Sequence, residues 1–158
     1  MATTTQVQES VQVAVPVDKA FYGTLPIPLE SLFKYRHGPI PPIKSVRNQN
    51  GEWGTPGQTR DVHLADGGSI REELLTVDAP SSFSYQLTNI RGPLALLFSH
   101  VDGRWLFEPD GTGTRITWQW TLRPRSGATR LVAPAFARFW HGYAKKSLRE
   151  LANQLQSG

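Results

Sequence analysis

Arg60 and Glu72 are opposite charges standing in apolar company. Alternation along Thr59–Leu64 puts Arg60 on one side with Val62 and Leu64, and along Ser69–Asp78 it puts Glu72 with Ile70, Leu74 and Thr76. The two runs flank the tight turn Ala65-Asp66-Gly67-Gly68, so they read as neighbouring antiparallel strands. Two chemistries follow. A paired Arg60–Glu72 bridge would be structural, because buried charge is normally compensated. Alternatively, one or both side chains reach an internal space and hold the polar group of a ligand. Buried without Arg60, Glu72 would have its pKa raised by desolvation and become a candidate general acid or base.

His100 admits two placements. Strict alternation groups it with Asp102, Arg104, Leu106 and Glu108 on a solvated face, leaving Trp105 and Phe107 inside. A bulge at Gly103 would instead turn His100 and Trp105 inward together. His37 reads as a loop residue, His63 as outward, and His141 as lying on the polar side of a helix. Four scattered histidines give no metal-ligand spacing, and cysteine is absent, which removes disulfides, thiolate metal sites and a thiol nucleophile. The glycine-rich phosphate loops, His-Glu-x-x-His and Gly-x-Ser-x-Gly are missing too. No metal and no cofactor are expected.

The elements that must position these residues are legible from periodicity. Phe136, Phe139/Trp140, Tyr143, Ser147, Leu151 and Leu155 share one face of a helix over Ala135–Leu155, roughly 30 Å long at about 1.5 Å per residue. Arg138, His141, Lys145 and Arg149 occupy the opposite face. Gln6–Val15 alternates as a strand whose buried side carries one polar exception, Glu9. Two short helices are predicted at Asp18–Tyr22 and Pro28–Tyr35, followed by a stiff proline-rich connection over Arg36–Ile43. Further strands are expected at Ile43–Gln49 (ending in a hairpin at Asn50-Gly51), Thr59–Leu64, Ser69–Asp78, Ser82–Asn89, His100–Glu108 and Thr114–Arg123. Seven strands joined mostly by hairpins imply one antiparallel sheet, and the terminal helix is the long apolar partner available to cover it.

At 158 residues and 39% hydrophobic, the chain reads as a single domain, residues 1–158, with a real core. No apolar run approaches the roughly 20 residues needed to span a bilayer, so no stable membrane insertion is expected. Met1–Gln6 shows no secretion signal, and the lack of cysteine fits a cytoplasmic location. A net charge of +4 is too weak to argue for nucleic-acid binding.

The run Gly54-Thr55-Pro56-Gly57-Gln58-Thr59-Arg60-Asp61-Val62-His63-Leu64-Ala65-Asp66-Gly67-Gly68-Ser69-Ile70-Arg71-Glu72-Glu73-Leu74, together with Phe83-Ser84-Tyr85, Gly113–Trp118 and Leu148–Leu151, resembles the START-like (SRPBCC) helix-grip superfamily. Within it the chain is similar to the polyketide cyclase/dehydrase and lipid-transport group. The resemblance implies an α+β helix-grip fold. A seven-stranded curved antiparallel sheet would wrap around the long C-terminal helix, with two short helices after the first strand. It also implies an apolar cavity between sheet and helix that binds a hydrophobic small molecule.

On that basis Arg60, Val62, Leu64, Glu72, Tyr85 and Trp118 are candidate wall residues from the sheet. Phe139, Trp140, Tyr143 and Ser147 match cavity-lining helix positions of the family, although the plain reading of each aromatic is core. Buried Tyr and Trp tips need partners, which a ligand or trapped water would supply. The run Arg91–Phe98 is too apolar for an ordinary hairpin loop. It either folds over the core or, as the family implies, forms a lid through Leu94 and Phe98. The resemblance also draws His100 toward the cavity.

Two functions are therefore expected. The first is binding of a lipid, polyketide or aromatic compound. The alternative is a cyclase or dehydratase in which Glu72, His100 or Tyr143 moves protons. A ligand-regulated partner module is a weaker third, with no partner surface visible in the sequence.

Overall fold

The computed structural model describes residues 4–157; Met1–Thr3, part of the N-terminal stretch read for a signal, lie outside the described residues. Seven strands form one sheet: β1 (Thr5–Val13), β2 (Ile43–Arg47), β3 (Thr59–Leu64), β4 (Ser69–Asp78), β5 (Ser82–Arg91), β6 (Phe98–Asp110) and β7 (Gly113–Pro124). Their spatial order is β1-β7-β6-β5-β4-β3-β2, with every neighbouring pair antiparallel. The first strand thus pairs with the last. Helices α1 (Val17–Thr24) and α2 (Leu29–Leu32) carry the chain from one edge of the sheet to the other. After a short α3 (Gly127–Arg130), α4 (Ala133–Ser157) lies against the curved sheet. This is the helix-grip architecture.

Helix α4 buries a stripe at three- and four-residue steps, from Phe136 through Trp140, Tyr143, Ser147 and Leu151 to Leu155. It begins two residues earlier than periodicity predicts, because Pro134 in a first turn removes an N–H that would have no helical partner anyway. Two polar contacts tie it to β1 and the residue that follows it. Glu9 Oε2 lies 2.7 Å from His141 Nδ1, and the Ala14 N–H donates to Gln156 Oε1 at 2.7 Å. The polar exception on the first strand therefore faces a histidine on the helix.

Two local expectations are corrected. Helix α2 is shorter than Pro28–Tyr35, because Phe33 leaves helical geometry and its carbonyl accepts from the Ile43 N–H at the start of β2. Asn50-Gly51 does not close a tight hairpin; β2 ends at Arg47 and a long loop follows. The Gln58 side chain organises that loop. It accepts from the Gly54 and Thr55 N–H groups and donates to the Asn50 and Glu52 carbonyls. The loop drops Trp53 into the interior.

The proline-rich connection is keyed into α4 by two glycines. A β-carbon on Gly142 would fall 2.0 Å from His37 Nε2, and one on Gly38 would fall 2.3 Å from Phe139 Cδ1. The imidazole fills the gap over one glycine and the phenyl ring covers the other.

Candidate ligand cavity

Between the sheet, the α1–α2 segment and α4 lies a cavity of about 90 Å³. Its walls are largely apolar and come from every layer, including Ile27, Leu32, Ile40, Val62, Leu87 and Leu94.

Polar side chains gather on one part of the wall. Arg60 and Glu72 stand directly opposite each other in the β3–β4 register. The Arg60 Nε–H donates to Glu72 Oε1 at 2.8 Å, with both side chains buried. The bridge is formed, and both residues also line the cavity, so the structural and ligand-facing readings coexist. Arg60 is fixed from behind by two residues of the β2–β3 loop. Trp53 lies with its ring centroid 3.8 Å from the guanidinium carbon, and Gln49 Oε1 accepts from Nη1 at 3.2 Å.

Tyr85 is the second fixed point. Its hydroxyl accepts from the indole N–H groups of Trp118 at 2.8 Å and Trp120 at 2.9 Å. Tyr143 faces the cavity from α4 and stacks on Phe33, ring centroids 5.9 Å apart and planes within 8°. No hydrogen-bond partner reaches the Tyr143 hydroxyl among the described residues. Burial, and then the negative charge of Glu72, pushes the Tyr85 phenol well above its ordinary value. Burial, and then the neighbouring Tyr85, does the same to Tyr143. Both phenols are therefore neutral hydrogen-bonding groups at physiological pH.

The cavity brings together Arg60, Val62, Leu64, Glu72, Tyr85, Leu94, Trp118 and Tyr143 of the residues singled out from sequence. Five others lie elsewhere. His100 sits on the outer face, its Nδ1 3.2 Å from Ser99 Oγ, because β6 keeps strict alternation through Val101, Gly103, Trp105 and Phe107. The irregularity in β6 falls between Phe98 and His100, not at Gly103. Phe139 is 40% exposed, drawn onto Gly38 and away from the cavity. Trp140 is fully buried against Trp118 and Trp120, and the Ser147 hydroxyl donates back to the Tyr143 carbonyl. Phe98 is buried edge-on against Phe136. Of the four helix positions, Tyr143 alone lines the cavity.

Sequence reasoning missed three supports: Trp53, Gln49 and Gly103. The last stands in register with both Tyr85 and Trp120, and a β-carbon there would lie 2.0 Å from Tyr85 Cζ. Its bareness lets the Tyr85 ring cross β6 to reach the two indoles. A lone glycine among inward-facing residues was the available signal, since a strand interior tolerates one where another group approaches closely.

Among the described residues no three metal-ligating side chains gather, and no helix is long and apolar enough to cross a membrane. No curated protein matches the sequence. Solved structures share the fold at low identity. Ara h 8.0201 aligns with a TM-score of 0.74 at 18% identity, covering 99% of this chain and 100% of that one. The major latex-like protein 151 of Panax ginseng aligns at 0.70 and 15%, covering 96% and 97%. A protein from Nitrosospira multiformis aligns at 0.69 and 16%, covering 97% of each. The family described as polyketide cyclase / dehydrase and lipid transport matches residues 4–156, and with an internal apolar cavity in the same helix-grip fold, the chain belongs to that family.

Proposed function

We propose that this protein binds a hydrophobic small molecule inside the cavity, its polar end held by the Arg60–Glu72 pair. The observation that carries the reading is the combination of a mostly apolar wall with a few polar side chains on it, the design that small-molecule recognition requires. The aromatic wall, with Phe33, Phe83, Trp105 and Trp118, suits a planar guest. A resting volume of about 90 Å³ suits a small guest better than a diacyl lipid or an extended polyketide. A cysteine-free chain with no membrane-crossing helix among the described residues suits a diffusible carrier in the cytoplasm.

Cyclase or dehydratase chemistry has less support. It needs an acid/base pair within hydrogen-bond reach inside the cavity. His100 is on the far side of the sheet, both phenols stay protonated and so offer no base, and Glu72 is engaged by Arg60. Native mass spectrometry of the purified protein tests the binding reading. A non-covalent adduct, lost in a Val62→Trp variant that fills the cavity but still folds, is the expected result. No adduct, and no uptake of uncharged aromatic probes, would overturn it.

A further inference from the structure

The hydrogen-bond inventory of the cavity goes further and names the ligand's polar group, an inference that rests on the binding function proposed above. Arg60 brings one positive charge to the wall, and Glu72 cancels it at 2.8 Å. The cluster is thus neutral before any ligand arrives. A carboxylate or phosphate placed beside it would leave one buried negative charge uncompensated, next to the Glu72 carboxylate, and such burial is strongly unfavourable.

The polar atoms left over are specific. Glu72 Oε1 accepts from Arg60, and no donor reaches Oε2 among the described residues. The Tyr85 oxygen has both acceptor positions filled by indole N–H groups, so what it retains is its own O–H, a donor. The Tyr143 hydroxyl is unengaged and can donate or accept. The Arg60 Nη2 group has donors to spare. A ketone or ether would satisfy donors but leave the Glu72 oxygen unpaired. A hydroxyl satisfies both sides: it donates to Glu72 Oε2 and accepts from Arg60.

We infer that the cavity selects an uncharged, hydroxyl-bearing aromatic molecule, and that the Arg60–Glu72 pair discriminates against carboxylates of the same shape. The ion pair is then a specificity device: Arg60 does not serve as an anion site, because its charge is already spent on Glu72.

Three probes matched in size test this with the full-length protein: β-naphthol, β-naphthoate and β-methylnaphthalene, compared by isothermal titration calorimetry at neutral pH. Expected is β-naphthol binding about tenfold more tightly than β-methylnaphthalene, the effect of one charge-assisted hydrogen bond, with β-naphthoate the weakest. Glu72→Gln should narrow the gap between β-naphthol and β-naphthoate by removing the negative charge. Because Glu72→Gln also disturbs Arg60, Tyr143→Phe is the companion variant. It leaves the ion pair intact and should preserve the preference for β-naphthol over β-naphthoate; loss of that preference would overturn the role given to Arg60 and Glu72. If β-naphthoate binds as tightly as β-naphthol, Arg60 acts as an anion site and the inference fails while the binding function stands. Equal affinity for β-naphthol and β-methylnaphthalene would also overturn it. If none of the three binds to folded protein, and the one-ring set of phenol, benzoate and toluene does not bind either, the proposed function itself fails.

Discussion

Tyr85 and Gly103 face each other in register across β5 and β6, and the phenol ring occupies the space where any other residue at 103 would carry its β-carbon. The Tyr85 hydroxyl, thus carried over β6, collects the indole N–H groups of Trp118 and Trp120. One missing side chain therefore supports a three-residue polar link in the cavity wall.

Gly103→Ala is expected to displace the Tyr85 ring and lower stability by about 1–3 kcal/mol, the usual cost of forcing extra volume into a filled interior. Tyr85→Phe keeps the ring but leaves two indole N–H groups without an acceptor, at about 1–3 kcal/mol for each buried one. Urea unfolding of the two variants checks both, and near-ultraviolet circular dichroism should change in each. Wild-type stability in Gly103→Ala would show that the ring relocates freely.

The buried ion pair gives a prediction by contrast. Arg60→Met strands the Glu72 carboxylate in an apolar wall and should cost about 3–5 kcal/mol, whereas the double variant Arg60→Met/Glu72→Leu should recover most of that loss. A double-mutant cycle by chemical denaturation reads the difference. A double variant no more stable than the single would mean that Trp53 stacking on the guanidinium, not charge pairing, holds the site.

Alkaline pH should act through the two cavity tyrosines. Burial raises the pKa of both above their ordinary value of 10.0, so the folded state retains phenolic protons that the unfolded chain has released. Their contribution to stability is complete below the unfolded value and is lost as pH rises above it towards the folded value. Two of the four tyrosines should therefore titrate late, together with unfolding, in an alkaline spectrophotometric titration. Complete reversible titration of all four in the native state would contradict the burial.

Gly142→Ala removes the gap that His37 Nε2 occupies. The substitution favours a helix by up to about 1 kcal/mol, so thermal stability should change little while the proline-rich connection is pushed off α4. Ligand dissociation, measured by stopped flow with whichever probe binds, should then quicken. A fall in Tm without any change in exchange rate would make this contact purely structural.

The fold was legible because it is written in periods. Alternation along the strands and the 3.6-residue recurrence along α4 are both set by burial on one side, and they survive without knowledge of any partner. Within the site, Arg60 with Glu72 was visible for the same reason, as charges in apolar alternation. The rest depended on register and on neighbours distant in sequence. Nothing in the spacing of Tyr85, Trp118 and Trp120 shows that they share one oxygen, and Trp53 sits in a loop with no period at all. Phe139 and Trp140 show the limit on the helix side. They are consecutive, so about 100° apart around the axis, and which of them meets the cavity depends on the strap that packs against α4. Gly38 takes Phe139, the sheet tryptophans take Trp140, and the cavity is left to Tyr143.

The two glycine contacts between the proline-rich strap and α4 make the container unequally stiff. On that side His37 and Phe139 interlock with bare backbone, so the wall bearing Ile40 and Pro41 yields only if the helix yields with it. Leu94, by contrast, belongs to a single 3-10 turn, Pro93–Leu96, that contains no buried residue and is tethered through Arg125 to the Ala95 and Leu97 carbonyls. Local opening concentrates where buried apolar contact is sparse. A guest too large for the resting volume would be accommodated by swelling at this turn, so the protein's tolerance for ligand length is set there and its shape selectivity at the strap.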